Sequence, residues 1–159
     1  MNIFYPLVVF GLFLGTAYAE DNVNCDNAFS TYEIISCQGQ ELTSLRKELS
    51  RYLDAAKKRI RHDDFLSTKE NALVILDESQ EKWEEYARQH CDVVWNLAGG
   101  TSKNIVYLSC MQNETVRRTH QVWLSYLNYG GELPSVPNMD EPTRPELPIW
   151  LPVEPMKAE

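Results

Sequence analysis

Apolar residues recur in steps of three and four along most of the chain, the spacing that lines one face of an α-helix. Between residues 40 and 62 they are Leu42, Leu45, Leu49, Tyr52 or Leu53, Ala56 and Ile60. Ahead of that run, Ser30 and Glu33 stand three apart, the spacing of a capping box at a helix start. A short separate helix is therefore predicted through 31–37, ending near Gly39. A second long helix is predicted from about 67 to 97, with the inner stripe Leu73, Leu76, Gln80, Trp83, Ala87, Cys91 and Val94. After Gly99 and Gly100, a third is predicted from about 104 to 128, along Ile105, Leu108, Val116, Thr119, Trp123 and Leu127. No stretch alternates apolar and polar residues between hairpin turns. The expected fold class is all-α: an antiparallel bundle of three long helices plus a short N-terminal one.

The two ends of the chain do not share this periodicity. Residues 3–14 are apolar and too few to span a bilayer, and Ala17-Tyr18-Ala19 follows as a cleavage signature. Residues 1–19 are thus read as a signal peptide and 20–129 as the helical domain, with a periplasmic or secreted location. Seven of the eight prolines lie between Pro134 and Pro155, interspersed with acids. Proline disrupts helix interiors, so 130–159 is expected to be a flexible acidic tail, with Ile149, Trp150 and Leu151 as one apolar anchor.

An exported domain with four cysteines, Cys25, Cys37, Cys91 and Cys110, points to two disulfides, for which three connectivities exist. Helices two and three should fold back about the Gly-Gly turn, and Cys91 and Cys110 stand nearly equidistant from it. Helix axes pack 8–10 Å apart, so the hairpin favours Cys91–Cys110 and leaves Cys25–Cys37 as the second pair. A reactive thiol is the competing reading of His90-Cys91. Neighbours on a helix differ by about 100° around its axis, so His90 is poorly placed to serve Cys91 as a base. The histidines show no metal-ligand spacing. No catalytic residue, metal or cofactor is assigned, and the chain is read as a non-enzyme.

The formal net charge is −8. That sign disfavours nucleic acid and anionic membrane surfaces and favours cationic partners. No membrane insertion is expected once the signal is removed. Candidate partner-binding residues are Glu81, Glu84 and Glu85 with Arg88 on helix two, and Gly99, Gly100 and Lys103 in the turn. The ordinary alternative for each set is a solvated helix face and a tight turn.

The order of these features resembles a known family. Cys25 and Cys37, then Gln80, Trp83, Tyr86 and Cys91, then Cys110, Thr115 and Arg118 match the pattern of LprI-like lysozyme inhibitors over about residues 25–127. The resemblance implies an exported all-helical protein that binds a protein partner, for one member a lysozyme. C-type lysozymes are strongly basic, and an acidic inhibitor would be steered to them within a Debye length of about 8 Å. An immunity or envelope-interaction protein with a non-lysozyme partner is the alternative. One departure stands out: the family carries an arginine four residues after the tryptophan, where this chain has Ala87 and places Arg88 one step later.

Overall fold

A computed structural model describes residues 23–63, 66–128 and 139–145. The signal segment and the anchor predicted at 149–151 lie outside these. Three long helices dominate the described residues, α1 (Thr31–His62), α2 (Lys69–Leu97) and α3 (Lys103–Val122), and no strand occurs among them. One-turn 3-10 helices at Cys25–Asn27 and Gly100–Ser102 precede α1 and α3.

The separate N-terminal helix predicted through 31–37 does not exist; it is the first two turns of α1. The capping box forms, with Glu33 N–H donating to Ser30 Oγ at 3.2 Å and Ser30 N–H donating to Glu33 Oε2 at 2.9 Å. Phe29 N–H also donates to that carboxylate, and these backbone bonds hold the Glu33 carboxyl below its ordinary value. The helix then runs straight through Gly39. Glycine lowers helix propensity without blocking it, and tertiary bonds hold this stretch: Gln38 Nε2 donates to Ser109 Oγ, and Gln112 Nε2 donates to the Gln38 carbonyl, both at 2.9 Å. In the turn after α2, Gly100 alone adopts a left-handed backbone, with φ 65°.

α1 and α3 run parallel, α2 runs against both, and α3 is the element on which the other two pack. One core cluster joins Leu49, Tyr52 and Ala56 of α1 to Leu76 of α2 and Val122 of α3. The second, nearer the Gly-Gly turn, joins Leu42, Ala87, Cys91 and Met111. Trp83 packs against both clusters and so links the two halves of the bundle. Disulfides Cys25–Cys37 and Cys91–Cys110, each with Cα atoms 5.6 Å apart, tie the N-terminal turn to α1 and α2 to α3. At the opposite end, Lys57 pairs with Asp77 and Arg59 donates to the Leu127 carbonyl, so two cations in the last turns of α1 fasten it to its neighbours.

The buried face of α3 is rotated from the predicted stripe. Its buried residues are Met111, Glu114, Thr115, Arg118, Thr119 and Val122, while Ile105, Leu108, Val116, Trp123 and Leu127 are half-buried. The two threonines satisfy themselves: Thr115 Oγ1 donates to the Met111 carbonyl at 2.7 Å, and Thr119 Oγ1 to the Thr115 carbonyl at 2.9 Å. Beyond Val122 the last turn widens to a π-helical one, Trp123–Leu127, closed by Asn128 N–H donating to the Trp123 carbonyl.

Residues 139–145 form a strap across α1 and α3. The Trp123 indole N–H donates to the Met139 carbonyl at 3.0 Å, and the Tyr52 hydroxyl donates to the Asp140 carbonyl at 2.8 Å. Met139 joins the first core cluster and Pro142 is buried. Glu141 accepts from Arg144 and lies 3.4 Å from His120 Nε2; the Arg144 bond, then His120, holds its carboxyl below the ordinary value.

A Cβ at Gly39 would meet nothing within 4 Å, and its φ is not left-handed. Gly39→Ala should therefore raise unfolding free energy by up to about 1 kcal/mol in urea titrations. Trp123→Phe keeps an aromatic ring but removes the indole N–H bond to the strap and some packing volume, and should lower stability by about 1–3 kcal/mol. A carboxyl with a depressed folded pKa stabilises above its unfolded pKa and loses that contribution as pH falls through the folded value. Glu141→Gln should accordingly reduce the loss of thermal stability on acidification below the ordinary carboxylate range.

Candidate functional site

α1 and α2 touch each other far less than either touches α3, and the space between them is an open groove of about 400 Å³. Helical spacing sets its walls. Arg46, Leu49, Ser50 and Leu53 come from adjacent turns of α1, and Gln80, Trp83, Glu84 and Arg88 from adjacent turns of α2; Tyr107 and Met111 of α3 form the floor.

Beneath the α2 wall lies a buried charged group, the guanidinium of Arg118. The residue is 7 % exposed. It has no carboxylate partner among the described residues. Its Nε donates to Gln80 Oε1 at 3.0 Å, its Nη1 to Gln121 Oε1 at 3.0 Å and its Nη2 to Ser79 Oγ at 3.2 Å. The Trp83 ring centroid lies 5.9 Å from Cζ, within cation–π range. Burial pulls the Arg118 pKa below the ordinary guanidinium value. An arginine remains charged even so, and neutral acceptors and a ring face carry its charge.

Gln80 has a second bond, from its Nε2 to Glu84 Oε1 at 3.1 Å, so one amide connects the buried guanidinium to the groove rim. Glu84 forms no ion pair with Arg88, although the two stand four apart. Neither Arg46 nor Arg88 has a hydrogen-bond or ion-pair partner among the described residues. Two guanidinium groups thus stand on facing walls above an aromatic and aliphatic floor.

The structure divides the residues singled out from sequence. Glu84 and Arg88 line the groove; Glu81 and Glu85 are exposed on the flank of α2, where Glu85 accepts from Gln89 Nε2. Gly99, Gly100 and Lys103 belong to the turn, roughly 22 Å along the helix from Glu84 at 1.5 Å per residue. They do not join the groove. The turn is pinned by Trp95, whose indole N–H donates to Asn104 Oδ1 at 3.1 Å and whose ring lies 4.3 Å from Lys103 Nζ. Ala87, where the family pattern has its arginine, is fully buried. Arg46, Ser50, Tyr107 and Met111 carry no motif and were not singled out; only the pairing of α1 with α2 brings them together. Cys91 is consumed in its disulfide, and His90 is exposed and stacked on Tyr86 with centroids 5.7 Å apart.

Among the described residues, no three His, Cys, Asp or Glu side chains converge to hold a metal, and no helix is long and apolar enough to cross a membrane. What the fold and groove define is a disulfide-stapled, three-helix domain with an internal guanidinium clasp. The chain belongs to the LprI lysozyme inhibitor family, whose model, described as "Lysozyme inhibitor LprI", matches residues 25–122. No curated protein and no solved structure matches the chain. Of the residues that carry the family pattern, Gln80, Trp83 and Arg118 form one inward interaction and Cys91 and Cys110 another, while Cys25 and Tyr86 are exposed.

Arg118→Ala should destabilise the domain by about 2–4 kcal/mol, because it removes three hydrogen bonds and leaves Gln80, Gln121 and Ser79 short of a donor. Arg118→Lys should recover only part of that loss, since an ammonium cannot reproduce the planar fork. Urea unfolding of the oxidised protein checks both.

Proposed function

We propose that the protein is an exported inhibitor that binds a basic lysozyme and so protects the bacterial envelope. Membership of an inhibitor family carries the reading, and the distribution of charge says where contact would fall. The three helices together hold twelve carboxylates and thirteen Lys or Arg residues, so the net charge of −8 comes entirely from the chain ends and connections. Within the bundle the charge is sorted. α2 carries seven carboxylates against three cations, whereas α1 carries four against seven and α3 one against three.

Along α2, Glu78, Glu81, Glu85 and Asp92 share one exposed flank at helical spacing. This flank is the local acidic surface that would meet a cationic enzyme. The turn at Gly99, Gly100 and Lys103 projects from the end of the same helix and would enter a cleft, while Glu84 and Arg88 border the contact from the groove side. Such a complex needs no cofactor and no chemistry from the inhibitor.

Titration of the purified oxidised protein, freed of residues 1–19, against a C-type lysozyme on cell-wall substrate tests the proposal. Loss of lysozyme activity near equimolar ratio is expected, weakening as salt rises. Reversing Glu81 and Glu85 to lysine should raise the half-inhibitory concentration by about tenfold. Full residual lysozyme activity at large molar excess would refute the inhibitor reading.

A further inference from the structure

The acidic flank of α2 leaves the groove on its other side unexplained, and the groove has the opposite electrostatic character. Among the described residues, Arg46 and Arg88 line facing walls with no hydrogen-bond or ion-pair partner, and the Arg118 guanidinium lies behind Trp83 with no carboxylate partner. The one carboxylate in the groove, Glu84, is already engaged by Gln80. Lys57 and Asp77, which also bridge α1 and α2, neutralise each other. Two positive charges therefore line a space holding one negative charge.

Two like charges on opposite walls repel unless an anion sits between them, and a guanidinium binds a carboxylate through two parallel N–H bonds. The lining between the arginines is apolar: Trp83, Leu53 and Met111 offer a surface for a side chain next to the anion. The volume of about 400 Å³ suits two or three residues of an extended chain. A long polyanion is disfavoured, because the acidic flank of α2 would repel it. A single acid with an apolar neighbour is what the site selects.

We propose that the α1–α2 groove is a receptor site for an acidic peptide segment of a second protein, its carboxylate clamped between Arg46 and Arg88 and the adjoining apolar side chain seated on Trp83. The site adjoins the acidic flank along Glu84 and Arg88, and its use does not depend on the partner of that flank being a lysozyme. It gives the domain two faces of opposite charge, able to hold an acidic and a basic ligand at once.

Fluorescence anisotropy with a fluorescein-labelled hexapeptide containing one glutamate beside one leucine, titrated with the full oxidised protein, tests this. Saturable binding is expected, weakened at least tenfold when the glutamate is replaced by glutamine or the leucine by glycine. Arg46→Gln and Arg88→Gln should each weaken binding about tenfold, and Arg117→Gln, on the outer face of α3, should leave it unchanged. Both groove arginines are exposed, so the variants should fold, and unchanged thermal unfolding verifies it. Equal weakening by Arg117→Gln, or equal competition from acetate, would reduce the effect to charge screening and overturn the proposal. Displacement of the probe by a synthetic peptide of residues 146–159 at comparable affinity would make the chain's own tail the occupant and likewise overturn it.

Discussion

The buried guanidinium of Arg118 is the constraint around which the bundle is organised. A charge removed from water must be compensated, and here the compensation comes from two amide oxygens, a hydroxyl and an aromatic face. Those partners fix more than one group. Gln80 and Ser79 set the register of α2 against α3, and Trp83, held against the guanidinium, spans both core clusters. Because α2 is committed to α3 in this way, it does not close fully on α1. The groove is the space that this commitment leaves open.

Much of the architecture is legible in the sequence because helical periodicity and cysteine spacing are strong signals. The stripe of α2 reads correctly: Leu76, Ala87 and Cys91 are buried, and Leu73, Gln80, Trp83 and Val94 are half-buried. Two features mislead for physical reasons. Gly39 resembles a stop, but propensity is a weak force beside the tertiary bonds of Gln38 and the packing of Leu42. α3 misleads more seriously, since ranking residues by hydrophobicity cannot find an inward face built from Thr115, Arg118 and Thr119. Each is buried with its polar atoms satisfied by a neighbour or by the helix itself.

The candidate site was legible only in part. Glu84 and Arg88 drew attention as charged residues on a helix that resembles a known pattern, and both border the groove. Arg46 looks like any surface cation on an amphipathic helix until α1 is placed beside α2. Charge shows the same limit. The total of −8 describes a chain whose helices are nearly balanced, and the contrast in charge lies between the acidic flank of α2 and the arginine-lined groove beside it. Sums over a sequence conceal such sorting because they discard position.

The strap at residues 139–145 bears on where one evolutionary unit ends and one folding unit begins. The family match stops at Val122, yet Met139 completes a core cluster of the bundle, and Tyr52, well inside the matched segment, bonds to the strap. The inherited module and the cooperative module of this chain therefore have different borders. Grafting residues 25–122 onto another protein would transfer the guanidinium clasp and both disulfides, but would uncover Tyr52 and discard Trp123. Relatives lacking a strap would need a different cover at that face, making it a place where members of one family can diverge in stability while keeping the same clasp.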